Sequence, residues 1–169
     1  MKNKVKLFLV MFLGMLLCGC GMQIENDIVF ICNRQQYNDS YVNKGYFIDK
    51  NGYKGYFDLS NEGIDYANID VLYSYLAEHC GEIETVPFME EQEVLECYRH
   101  LCQVDLGAEI QEECVMADYG SYIFYGIRLS EEGDVEVIML EEYGDWNRIN
   151  SDKAAKEIMD IFGKEEWRE

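Results

Sequence analysis

The chain contains two histidines, His79 and His100, that could serve as a general base. A Ser- or Cys-based hydrolase needs such a base within hydrogen-bond reach of its nucleophile. Both histidines fall late in helical patterns, where an imidazole is favourable simply because it faces the negative end of the helix dipole. Neither adjoins a strand-to-helix turn carrying Ser or Cys, so no catalytic residue is assigned. Cys97-Tyr-Arg-His100-Leu-Cys102 has the residue types of a metal cluster. On a helix, however, a spacing of five leaves the two thiols roughly 140° apart around the axis, and they cannot face one ion. Glu96 and His100 share a face but fall short of the three or four ligands zinc requires. Asp49-Lys50-Asn51-Gly52 supplies the first oxygens of a calcium loop. Its Gly comes at the fourth place rather than the sixth, and Ser60 stands at the twelfth place where Glu is needed. A turn is expected there, and no metal or cofactor.

The densest constellation of chemistry is Glu141-Glu142-Tyr143-Gly144-Asp145-Trp146, placed after a strong strand pattern and before the last helix. Asp118-Tyr119-Gly120 enters the neighbouring strand. In an antiparallel meander the 118–121 turn and the 141–146 loop lie at the same end of the sheet. Asp118, Tyr119, Glu141, Glu142, Tyr143, Asp145 and Trp146 then form one acidic-aromatic rim, suited to a cation, a basic peptide or a sugar. The same residues also fit a solvated turn whose rings merely cap the core. A third possibility is a small cell-envelope hydrolase using carboxylates around Glu142 and Asp145, because two placed acids suffice for glycosidic chemistry.

The elements that must hold these residues follow from periodicity. Ile28–Cys32 is a short apolar run with strand character, and 33–43 is polar and loop-like. Tyr46–Asp49 and Tyr53–Asp58 flank an Asn-Gly turn, the strongest short-range hairpin signal. Ile69, Leu72, Tyr73, Leu76 and Cys80 form one helical stripe, and Val94, Cys97, Tyr98, Leu101 and Val104 a second. Glu113–Asp118 is a moderate strand candidate; Ser121–Leu129 and Asp134–Glu141 are strong ones. A last helix carries Ala154, Ala155, Ile158, Ile161 and Phe162, with Asn150 or Ser151 as its cap. The expected fold class is α+β: a mostly antiparallel sheet, built from an N-terminal hairpin and a C-terminal three-strand meander, with about three helices packed on one side. Leu72, Leu76, Leu101, Ile127 and Ile158 are the expected core.

The first twenty residues carry a different message. Met1–Lys6 holds three lysines and no acid, and Leu7–Leu17 is an uncharged apolar run of eleven residues. At 1.5 Å per residue that run spans about 16 Å, roughly half a bilayer core, too short to cross it but suited to a secretory signal. Leu17-Cys18-Gly19-Cys20 then resembles the lipobox of bacterial lipoproteins. The resemblance implies that Cys20 receives a diacylglycerol, that residues 1–19 are removed, and that two or three acyl chains anchor the protein. With the GYFIDKNG hairpin and the GDWNRIN loop, the chain is also similar to small acidic lipoproteins of anaerobic Gram-positive bacteria, a likeness that implies an address rather than an activity. The expected organisation is a signal peptide over 1–19, a lipidated N-terminus and short tether over 20–27, and one globular domain over 28–169.

Charge and cysteine content complete the outline. There are 14 basic against 33 acidic residues, a net charge of −19, and loss of Lys2, Lys4 and Lys6 takes it to −22. That excludes nucleic-acid partners, which require a basic surface. It also opposes adsorption to anionic lipid, so the only expected membrane contact is the anchor. Five cysteines outlast processing at Cys20, an odd number that leaves at least one thiol unpaired, and Cys97 and Cys102 are expected to be thiols. The expected protein is thus a membrane-anchored extracytoplasmic binding or interaction module, with a cationic peptide or protein as its candidate partner; the envelope hydrolase is the alternative.

Overall fold

The computed structural model describes residues 23–36, 42–60, 68–114 and 120–163. Cys20, Asp118 and Tyr119 lie outside them. The Lys50-Asn51-Gly52 turn joins strand β2 (Val42–Asp49) to β3 (Tyr53–Asp58), as the sequence predicts. Asp49 builds it: its Oδ1 accepts hydrogen bonds from the amides of Asn51 (2.8 Å) and Tyr53 (2.9 Å). Gly52 adopts a φ of +86°, where an L side chain is strained. This carboxylate oxygen serves the turn, in keeping with the turn reading of Asp49-Lys-Asn-Gly.

The remaining strands are β1 (Ile28–Gln36), β4 (Thr85–Pro87), β5 (Ile110–Cys114), β6 (Ser121–Leu129), β7 (Val135–Gly144) and β8 (Trp146–Asn150). All eight pair antiparallel in the order β4-β3-β2-β1-β6-β7-β8-β5. Three α-helices complete the fold: α1 (Ile69–His79), α2 (Glu91–Leu101) and α3 (Lys153–Phe162). The class is α+β, with a sheet larger than a hairpin plus a three-strand meander.

Three differences from expectation have physical causes. First, β1 continues through the polar stretch to Gln36, because β2 and β6 satisfy its backbone on both sides. Second, the C-terminal meander is β6-β7-β8. Trp146–Asn150, expected as loop, is a strand, and β5 (Ile110–Cys114) pairs with it at the sheet edge; of the strand expected over 113–118, residues 115–118 lie outside the described residues. Third, the helices cover both faces. On one face α2 and α3 bury Val94, Cys97, Leu101, Ala155, Ile158 and Phe162 against Phe30, Ile48 and Phe124. On the other, α1 buries Leu72 and Leu76 against Ile31, Phe47, Phe57 and Ile127. Runs as apolar as Ile28–Cys32 put large side chains on both faces of a strand, and both must be covered.

Local signals fix the helix ends. Asp152, rather than Asn150 or Ser151, caps α3, its Oδ1 accepting from the amides of Ala154 (2.7 Å) and Ala155 (3.3 Å). A reciprocal capping box between Glu90 and Glu93 opens α2. The five expected core residues Leu72, Leu76, Leu101, Ile127 and Ile158 are all fully buried. At the N-terminus, part of the expected tether packs on the domain. Ile24 joins the core, Asn26 donates to the carbonyls of Ile28 and Ile127, and Asp27 pairs with Lys50 at 2.8 Å.

Candidate functional site

The acidic-aromatic end of the sheet is held together by a cation of the chain's own. Cross-strand pairing sets Arg148 opposite Glu142 on β7 and opposite Glu112 on β5. Its Nη1 lies 3.2 Å from Glu142 and its Nε 3.1 Å from Glu112, while the guanidinium stands 4.9 Å over the Trp146 ring. Glu142 is buried, so this arrangement is part of the structure rather than a solvated ornament. Asp145 braces the adjoining turn: its Oδ2 accepts from the Gly120 amide at 3.1 Å, and its own amide donates to the Gly120 carbonyl at 3.1 Å. The 120 and 145 turns therefore meet at one sheet end. Tyr143 is exposed on β7 opposite Tyr122, and Glu141 is half-buried opposite Phe124.

Alternation sorts these residues by face. Glu142 and Arg148 are directly opposite each other and share one face. Tyr143, one residue on from Glu142, shares the other with Tyr122. The expected rim is thus divided between two surfaces, and its Trp146–Glu142 seat is filled by Arg148. Replacing Arg148 by Met leaves the buried Glu142 carboxylate without its cation. The expected loss is about 2 kcal/mol, below the value for a fully buried pair because Arg148 is itself 35% exposed. Urea denaturation measures it; a loss under about 0.5 kcal/mol would show that water replaces the pair without cost.

A second arrangement lies on the face of Cys32 and Tyr46. Reading across the strands, Tyr143, Tyr122, Arg34, Lys44 and Asp58 form one row. Glu141, Phe124, Cys32, Tyr46 and Tyr56 form the next. Between these rows a half-open cavity of about 320 Å³ is lined by Cys32, Arg34, Lys44, Tyr46, Tyr56 and Tyr122, with Gly45 and Phe57. The Arg34 guanidinium lies over the Tyr122 ring at 5.3 Å, and its buried Nε meets no hydrogen-bond partner among the described residues. Behind Tyr46, the Lys54 ammonium sits in a box of rings: Tyr46 at 3.9 Å, Phe88 at 4.8 Å and Tyr56 at 5.1 Å. Burial pushes the Cys32 thiol up to about 12, against weaker downward pulls from the Tyr46 hydroxyl and Lys54. Burial, then Cys32, raises Tyr46 well above the ordinary phenol range. Both groups stay neutral at physiological pH.

No family model, curated protein or solved structure matches the chain. Its function has to be read from this geometry.

The other chemistry-bearing residues have structural positions. His79 stacks on Tyr75 at 4.3 Å, and its Nδ1 lies 2.8 Å from the Tyr75 carbonyl within α1. His100 lies 2.9 Å from Glu157 and ties α2 to α3. Cys32, Cys80, Cys97 and Cys102 are free thiols; Cys97 is buried in the helix–sheet core. Among the described residues no three His, Cys, Asp or Glu converge on a common point that could hold a metal ion. Sequence reasoning passed over the cavity because Arg34 stands in the 33–43 stretch that reads as loop, and Lys44 falls between that stretch and the strand expected from Tyr46. The available signal was the period-two alternation of Cys32 with Arg34 and of Lys44 with Tyr46.

Proposed function

We propose that this chain is a lipid-anchored module of the extracytoplasmic membrane face that binds a ligand rather than transforming one. The basic, apolar and lipobox order of residues 2–20 supports acylation at Cys20, and a charge of −22 supports a domain held off an anionic bilayer. The observation carrying the binding reading is the cavity between the Arg34–Tyr122 and Tyr46–Tyr56 rows, concave and ring-lined with a few polar groups converging on it. The hydrolytic alternative gains no support, since Glu142 and Asp145 are held by Arg148 and Gly120. A cationic partner at the rim has to displace Arg148 from Trp146 and Glu142.

Binding is tested by thermal shift on the full-length protein in detergent, against a set of small acidic, neutral and basic compounds. One chemical class is expected to raise Tm with concentration, as any ligand of the native state must. The shift should disappear in a Tyr56→Ala, Tyr122→Ala variant. No shift with any class, or equal shifts in the variant, would remove the cavity as the binding site.

A further inference from the structure

We propose that the cavity takes a small organic carboxylate with an aromatic or apolar body, its two oxygens on the Arg34 guanidinium and its body among Tyr46, Tyr56 and Tyr122. This rests on the binding reading above and names its ligand class.

The first ground is a charge anomaly. Acidic residues outnumber basic ones 33 to 14, yet no Asp or Glu is among the described residues lining the cavity. Arg128 and Arg148 are each matched to a glutamate, whereas among the described residues neither Arg34 nor Lys44 forms an ion pair. Worse, Arg34 and Lys44 are direct cross-strand partners, an arrangement in which like charges repel. Asp58, across from Lys44 on the outer side, does not resolve this. Its carboxylate accepts from the Ser60 hydroxyl (2.6 Å) and amide (3.1 Å), and its attraction to Lys44 is the lesser influence on it. Lys54 adds a third cation, nearly fully buried behind the Tyr46 wall. An anion between Arg34 and Lys44 removes the repulsion.

The second ground is the shape of the donors. A guanidinium stacked on a ring keeps its edge free, and that edge presents two parallel N–H groups matching the two oxygens of a carboxylate. The Arg34 guanidinium lies over Tyr122 at the cavity wall, and its Nε has no hydrogen-bond partner among the described residues. The lining residues belong to β1, β2, β3 and β6, so no helix N-terminus helps. Phosphate sites typically draw on such backbone amides; side-chain cations and tyrosine rings favour a planar monoanion with a ring of its own. A volume of about 320 Å³ lies at the small end of ligand sites.

Isothermal titration of the full-length protein in detergent with phenylacetate, its neutral isostere phenylacetamide and inorganic phosphate tests this. Phenylacetate should bind, with the amide and phosphate each at least tenfold weaker. Arg34→Gln should weaken phenylacetate binding roughly ten- to hundredfold, the range for losing a charge-assisted pair of hydrogen bonds. Arg34→Lys keeps the charge but not the fork and should fall between. The circular dichroism spectrum checks that both variants fold. If the amide or phosphate binds as well as phenylacetate, or Arg34→Gln binds it like wild type, the carboxylate assignment is overturned while binding at the cavity stands. If none of the three probes binds and the broader compound set is also silent, both readings fall.

Discussion

Stability is expected to fall steeply between pH 9 and 12 in the wild-type protein, and far less in a Cys32→Val, Cys97→Val variant. Burial pushes both thiols up to about 12 from an ordinary 9.0, with Glu96 and Glu93 adding to the effect at Cys97. A group whose folded pKa is raised contributes its stability in full below its unfolded pKa. Above about pH 9 the unfolded chain ionises these thiols while the folded chain keeps them protonated. Each thiol then costs about 1.4 kcal/mol per pH unit until its folded pKa is reached. Over the whole window that amounts to as much as about 4 kcal/mol per thiol. Tyr46, Tyr73 and Tyr98 are also raised, chiefly by burial, and act in the same direction in both proteins. Urea midpoints measured from pH 8 to 10.5 provide the test. Parallel slopes in wild type and double variant would show that the two thiols are not buried as described.

The second large effect concerns Phe162, the last residue of α3. Its ring lies 4.8 Å from Phe124, 5.0 Å from Phe30 and 6.3 Å from Phe88, and so fastens the C-terminal helix to the centre of the sheet. Phe162→Ala removes that buried ring, which is edge-to-face on Phe30 and Phe124 and stacked on the exposed Phe88, and leaves a cavity that rigid strands cannot fill. The expected cost is about 3–5 kcal/mol, with Phe162→Leu costing a fraction of it. Equilibrium unfolding of both variants decides the matter. An alanine variant within about 1 kcal/mol of wild type would mean that α3 is not anchored through this ring.

What could be read from the sequence was what local interactions determine. The 50–52 turn was legible because Asp49 and Gly52 make it within five residues. The three helices were legible because their stripes repeat every three or four residues. β5 and β8 were not. Trp146-Asn-Arg-Ile-Asn has no strand-like run, and it becomes a strand through its pairing with β5, whose residues lie over thirty positions earlier. Nothing local tells a helical stripe such as Leu72–Leu76 which sheet face it will cover. The site shows the same division. Gly120 and Asp145 meet at one end of the sheet, as meander topology requires, but Arg148 was overlooked because it stood in an expected loop. Strand pairing alone brings its charge onto Glu142 and Trp146. The cavity needed pairing as well: Arg34 and Lys44 are ten residues apart, and only the β1–β2 register sets them side by side.

The tether underlies the whole proposal of an extracytoplasmic binding module, and one measurement addresses it. Cells expressing the wild-type chain or Cys20→Ala are grown with labelled fatty acid, and intact cells are then treated with protease. Label is expected in the wild-type protein alone, with the wild-type domain digested from outside and the variant accumulating as uncleaved precursor. Equal label in both proteins, or a wild-type domain that protease cannot reach until the cells are broken, would contradict the anchored, outward-facing module.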